Sequence, residues 1–313
     1  IIVKKKIKEK FNFLFKNGKK NKKEKNIVLT EFGNATFNHI ASAYLCDIIC
    51  KKYNARIVAY PGYQLLSSNL NLNFIQKLKW KVGNLFSIKS FGIHNSFGVS
   101  KIFWPKITNE INSKAIKEFN KYDKIIKSKS ALENYKINNI LIGDLIYDSF
   151  LKKNLAPTLD VSSKNFKNFF FDSLKLYFFW ENYFKKYEVK SLVLCHCVYI
   201  SALPGRIALS KKIPTYIYNY ERFYRLSQSR KFVGLEYLDY KKKFNLFSKN
   251  KKKEYLDFSN NKLKERFGGR VTSDIPYLSK TAYGKIIKKR VLKKSNKIKI
   301  LIATHSFVDS PHC

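Results

Sequence analysis

Methionine is absent from all 313 residues, position 1 included. Together with a strand-like run at 298–304 that stops just short of Cys313, this suggests a piece of a longer protein, open at both ends. Long apolar runs are missing too. None reaches the roughly 18 residues that a spanning helix needs, so no membrane crossing is expected. No secretory segment is visible and the five cysteines are odd in number, which argues for reduced thiols in a cytoplasmic, reducing compartment. No G-x-G-x-x-G occurs, so no dinucleotide cofactor is expected. No Gly-x-Ser-x-Gly elbow is present either, which weakens a serine nucleophile. Metal-ligand spacing is lacking as well: Cys195 and Cys197 flank His196 at strand spacing, while Cys46 and Cys50 share a helix face as small buried hydrophobes.

Acidic residues are scarce, 22 against 62 Lys and Arg, for a formal charge of +40. Such a field attracts phosphates from a distance. The excess is nearly all Lys, accompanied by Asn, Ile, Phe and Tyr, all with AT-rich codons. Biased base composition therefore explains much of it, and the arginine forks of a nucleic-acid reader are few. No specific nucleic-acid partner is expected. At 45% hydrophobic the chain can bury one large α/β core or two smaller ones.

Residues 1–26 are basic, with Val3, Ile7, Phe11 and Leu14 at helical spacing and a polar run from Asn17 to Asn26. This segment either lies on an anionic membrane surface or packs its stripe on its own domain. From residue 27 the pattern is α/β. Residues 27–30 read as a buried strand, 31–34 as its exit loop and 35–53 as a helix with Asn34 as N-cap. Residues 55–60 form the next strand, completing a β-α-β unit of the kind that crosses over in parallel. A helix at 71–82, a strand near 87–91, an aromatic loop at 92–105 and a helix at 109–121 follow. A second β-α-β unit comprises a strand at 191–195, a loop at 196–201, a helix at 203–211 with Pro204 in its first turn, and a strand at 214–218. The pattern thus gives a domain over 27–290, a lysine-rich linker at 291–297 and the start of another domain at 298–313.

Parallel sheets bind ligands outside the carboxyl ends of their strands, so the exit loops carry the candidates. Glu31, Gly33 and Asn34 occupy the first; Glu31 reads as a general base or as an exposed loop carboxylate. In Gly143-Asp144-Leu145-Ile146-Tyr147-Asp148, after a strand-like 138–142, a helix starting at Gly143 sets Asp144 and Asp148 on one face beside Tyr147. Asp144 either orients sugar hydroxyls or complements the helix dipole. His196, Tyr199 and Arg206 come from the second unit. His196 suits proton transfer or phosphate contact, and Arg206 either offers a fork to phosphate or is a helix-surface cation. The last loop, with His305, Ser306, Asp309, Ser310 and His312, can hold a diphosphate through hydroxyls and N–H groups.

Three blocks in this order, 143–148, 196–214 and 304–312, together resemble the surface- and capsular-polysaccharide glycosyltransferases of the two-Rossmann-domain (GT-B) type. The resemblance implies a Rossmann-like parallel sheet flanked by helices, forming the acceptor-side half of such an enzyme, followed by the first strand of a second Rossmann-like domain. It implies transfer of a sugar from a nucleotide-sugar donor to a glycan or lipid-linked glycan acceptor, with no metal and no cofactor. Glu31, Asp144 and His196 would then be catalytic, while Gly33, Asn34, Tyr147, Asp148, Tyr199 and Arg206 would bind acceptor. His305, Ser306, Asp309, Ser310 and His312 would bind donor. The enzyme would work in the cytoplasm, peripherally on the inner face of the membrane. Another two-domain sugar-nucleotide enzyme, such as an epimerase, and a non-catalytic polyanion binder remain alternatives.

Overall fold

The computed structural model describes residues 15–32, 36–62, 65, 70, 72–219, 222–229 and 240–270. A short helix α1 (Lys16–Lys20) precedes β1 (Ile27–Phe32), which is buried along its whole length. The Asp47 carboxylate holds α1 to the domain, accepting from the backbone N–H of Asn17 at 2.9 Å and of Gly18 at 3.0 Å. Phe15 is fully buried, so the described part of the basic segment packs on its own domain. The stripe Val3, Ile7, Phe11 and Leu14 lies outside the described residues.

Helix α2 (Thr36–Tyr53) and β2 (Arg56–Pro61) complete the first β-α-β unit. Helix α3 (Phe74–Leu85) starts at a capping box in which Asn73 and Gln76 satisfy each other's backbone N–H. The strand expected near 87–91 is replaced by helix α4 (Ser90–Ser96), and β3 (Val99–Ile102) follows it. Ile88, at the start of that run, is exposed; Val99 and Ile102 supply the buried apolar pair instead.

Helices α5 (Asn109–Phe119), α6 (Tyr122–Ile125) and α7 (Lys129–Glu133) lead to a small hairpin of β4 (Lys136–Ile137) and β5 (Ile140–Leu141). Helix α8 (Gly143–Asn154) begins at Gly143 as its sequence indicates, and only glycine fits there, because a Cβ would overlap the Leu132 carbonyl. Next come α9 (Lys164–Lys186), β6 (Val189–Leu194), a 3-10 turn (Ile200–Ala202), α10 (Leu203–Ser210), β7 (Thr215–Asn219) and β8 (Arg222–Arg225). The described residues up to 229 belong to one compact unit, and those from 240 to a second. The second unit contains α11 (Tyr240–Asn245) and α12 (Lys249–Phe267), neither of which has a buried residue.

Six strands form one sheet in the order β3-β2-β1-β6-β7-β8. Every pair is parallel except β7 with β8. Alternating side chains build two cores. Val28, Phe32, Ile57 and Val193 meet α2 through Ala43, Cys46 and Cys50. Ile27, Leu29, Val58, Tyr60 and Leu192 meet α9 through Leu174, Tyr177 and Trp180. Helix α9 follows the 3.6-residue period, with Phe166, Phe170, Leu174, Tyr177 and Trp180 inward. Trp180 is 1% exposed; truncating such a side chain costs about 3–5 kcal/mol.

Chain order runs outward from β1 to β2 and β3, then restarts at β6 and runs the other way. The carboxyl ends of β1 and β6 therefore flank the point where the winding reverses, the usual ligand crevice of open parallel sheets.

Candidate functional site

Glu31 stands at that crevice, as the penultimate residue of β1 rather than in a loop after it. It is 1% exposed, which corrects the reading of an exposed carboxylate. Its Oε2 accepts from the backbone N–H of Cys195 at 2.9 Å and of His196 at 3.1 Å, where the chain leaves β6. Its Oε1 lies 3.3 Å from His196 Nδ1. Gly62, at the exit of β2, leaves the room: a Cβ there would overlap the Glu31 carboxylate. A buried carboxylate persists only when hydrogen-bonded and charge-compensated, and here two backbone donors and an imidazole serve it.

The His196 side chain is 34% exposed against 1% for Glu31. Burial lowers the imidazole pKa, but the Glu31 charge and hydrogen bond together outweigh it, and the net shift is upward. With Nδ1 donating to the carboxylate, the ring is oriented by the acid, an arrangement by which a carboxylate positions an imidazole base. Tyr60 completes the neighbourhood: its hydroxyl is buried with no hydrogen-bond partner among the described residues. Burial first, then the Glu31 charge, pushes its pKa well up, so it stays protonated.

Behind the sheet, Cys195 Sγ lies 3.7 Å from His39 Nδ1, and the His39 ring meets His94 at 4.8 Å. Cys195 thus belongs to the loop after β6, not to the strand. Its thiol is pushed well up by burial and by Glu31, and that of Cys46 to about 12, chiefly by burial. These are inert thiols. Among the described residues no group of three or more His, Cys, Asp or Glu could hold a metal ion.

Asp144 and Arg206 come together elsewhere, and with each other. Two guanidinium nitrogens reach the two carboxylate oxygens at 2.6 Å each, and Nη1 also donates to the Leu141 carbonyl at 2.8 Å. The side chains are 4% and 8% exposed for Arg206 and Asp144, so Arg206 is no helix-surface cation. The pair ties the start of α8 to the start of α10. Tyr147, Asp148 and Tyr199 are buried in the same region. Ser149 Oγ accepts from the Ile200 N–H at 2.7 Å and donates to the Leu145 carbonyl at 2.6 Å, fixing the exit of β6 to α8. Tyr199 holds φ +56° and ψ −171°, a conformation that costs a non-glycine residue about 1–3 kcal/mol. The exit loop is thus strained and clamped.

An aromatic cleft of about 540 Å³ opens beside the exits of β1 and β3, lined by Phe32, Trp80, Phe91, Trp104, Lys79 and Lys89 among others. The sequence marks 92–105 as an aromatic loop but gives no reason to join Trp80 to Trp104; their rings meet at 5.2 Å. Gly33 and Asn34 lie outside the described residues, as do the linker 291–297, the strand 298–304 and His305, Ser306, Asp309, Ser310 and His312.

Fold and site define the class: a Rossmann-like α/β protein with an acid-imidazole pair at its topological switch point. Searches with the chain and its structure match no protein-family model, no curated protein and no solved structure. No helix among the described residues is long and apolar enough to cross a membrane.

Proposed function

We propose that the protein is a glycosyltransferase, or the acceptor-side part of one, moving a sugar from a nucleotide-sugar donor to a glycan or lipid-linked glycan acceptor of the cell surface. One observation carries the reading: Glu31 and His196 meet at the switch point with only the imidazole open to solvent. In the reaction, His196 Nε2 takes the proton from the acceptor hydroxyl as that oxygen attacks the anomeric carbon and the nucleotide diphosphate leaves. Glu31 fixes the imidazole through Nδ1 and stabilises the imidazolium that forms. Proton transfer by a positioned side chain contributes about 10²–10⁴-fold. The aromatic cleft offers ring faces to the acceptor. Donor binding is assigned to the loop with His305, Ser306, Asp309, Ser310 and His312, on the sequence resemblance alone.

Transfer of labelled sugar from nucleotide sugars to glycan acceptors tests this, with His196→Ala compared against the parent in the full-length enzyme. The expected result is a loss of about 10²-fold or more with an unchanged melting temperature. Unaltered transfer by His196→Ala removes the reading. So does the absence of transfer with every nucleotide sugar while the fold is intact.

A further inference from the structure

Helix α3 wears its amphipathic pattern outward. Phe74, Ile75, Leu78, Val82 and Leu85 fall at helical spacing on one arc, and Phe86 extends it; Phe74 is 80% exposed and Leu85 77%. An ordinary surface helix turns such an arc to the core. Here the opposite side is the anchored one. Trp80 packs edge-on against Phe32 at 5.3 Å and against Phe91 at 5.0 Å, and Gly83 is buried against the Phe91 ring. The arc therefore faces solvent while the helix is held firmly from behind.

The charges around it are of one sign. Lys77, Lys79 and Lys81 are exposed on the same helix, and no Asp or Glu occurs anywhere between Asp47 and Glu110. A contiguous apolar patch with a cationic rim has a specific complement: hydrocarbon below an anionic headgroup layer. A protein partner of mixed charge would ask for acidic residues somewhere in the rim.

We propose that the outer face of α3 is a membrane-docking surface that lies in the headgroup layer of an anionic bilayer, apolar arc inward and lysines on phosphates. It does not depend on the transferase reading, since vesicle binding without transfer would leave it intact. The same helix lines the aromatic cleft through Gln76, Lys79, Trp80 and Gly83, so docking brings the cleft to the membrane surface.

Co-sedimentation of the whole chain with phosphatidylglycerol and with phosphatidylcholine vesicles tests the proposal. The variant Leu78→Ser/Leu85→Ser/Phe86→Ser keeps every charge and touches only exposed side chains. It should bind phosphatidylglycerol vesicles about tenfold more weakly or worse at physiological salt, with the parent's melting temperature. Lys77→Glu/Lys79→Glu/Lys81→Glu should lose the preference for the anionic lipid. Parental binding by the serine variant would overturn the proposal, because distributed lysines would then account for the adhesion. A parent that ignores vesicles but dimerises through this patch in sedimentation velocity would overturn it too, making the arc a protein interface.

Discussion

Two acid-base pairs join distant parts of the chain, Glu31 with His196 and Asp144 with Arg206, and they differ in how far each is open to solvent. The guanidinium is buried with its carboxylate: two bonds go to Asp144 and one to the Leu141 carbonyl, and the two side chains are only 4% and 8% exposed. The imidazole meets its carboxylate through Nδ1, and its side chain is 34% exposed. The first arrangement clamps two helices, and the second leaves an imidazole within reach of solvent. Residue types that look equally chemical in a sequence are thus divided by exposure.

The clamp should break hardest. Arg206→Leu or Asp144→Asn leaves a buried group without its partner and should cost about 3–5 kcal/mol in denaturant unfolding. Replacing both by apolar residues of similar volume should restore much of that loss. Next, Ser149→Ala strands the Ile200 N–H and should cost about 1–3 kcal/mol, read as a lower unfolding midpoint at unchanged slope.

Smaller effects sharpen the other side. Glu31 raises the His196 pKa, so the stability from that pair is fully present below the ordinary imidazole value of 6.5 and is lost as pH rises through the raised folded value. Glu31→Gln should lower the His196 titration midpoint in imidazole NMR and remove this dependence. A midpoint that stays put would separate the two residues. His94 has the opposite sign. Burial, then the neighbouring His39, pushes its pKa well below 6.5, so stability is full above 6.5 and falls as the solution is acidified. His94→Phe should flatten that acid limb, by no more than about 1.4 kcal/mol per pH unit.

Much of the sheet is legible in the sequence because buried parallel strands are short apolar runs and their crossover helices are periodic. Residues 27–30, 36–53, 56–60, 203–210 and 215–218 all stand out this way. Glu31 does not read as strand, since a carboxylate in an apolar run looks like its end; only the backbone donors of a strand far along the chain make its burial tolerable. Helix α9 has its apolar period, but its Phe, Tyr and Trp content also suits strands, and the sequence reading assigns no element there. The meeting of Glu31 with His196, and of Asp144 with Arg206, depends on strand order, which no local pattern encodes. Tyr199 and Arg206 look available because loops and polar helix positions usually are; here both are buried.

The distinction between the two pairs is tested most directly by measuring sugar transfer and thermal unfolding on the same preparations of His196→Ala and Arg206→Leu. The account predicts opposite signatures. His196→Ala should melt with the parent and transfer about 10²-fold or more slowly, whereas Arg206→Leu should melt well below the parent and keep its turnover per folded molecule. A His196→Ala protein that unfolds early yet turns over normally, or an Arg206→Leu protein that is stable but inactive, would contradict it.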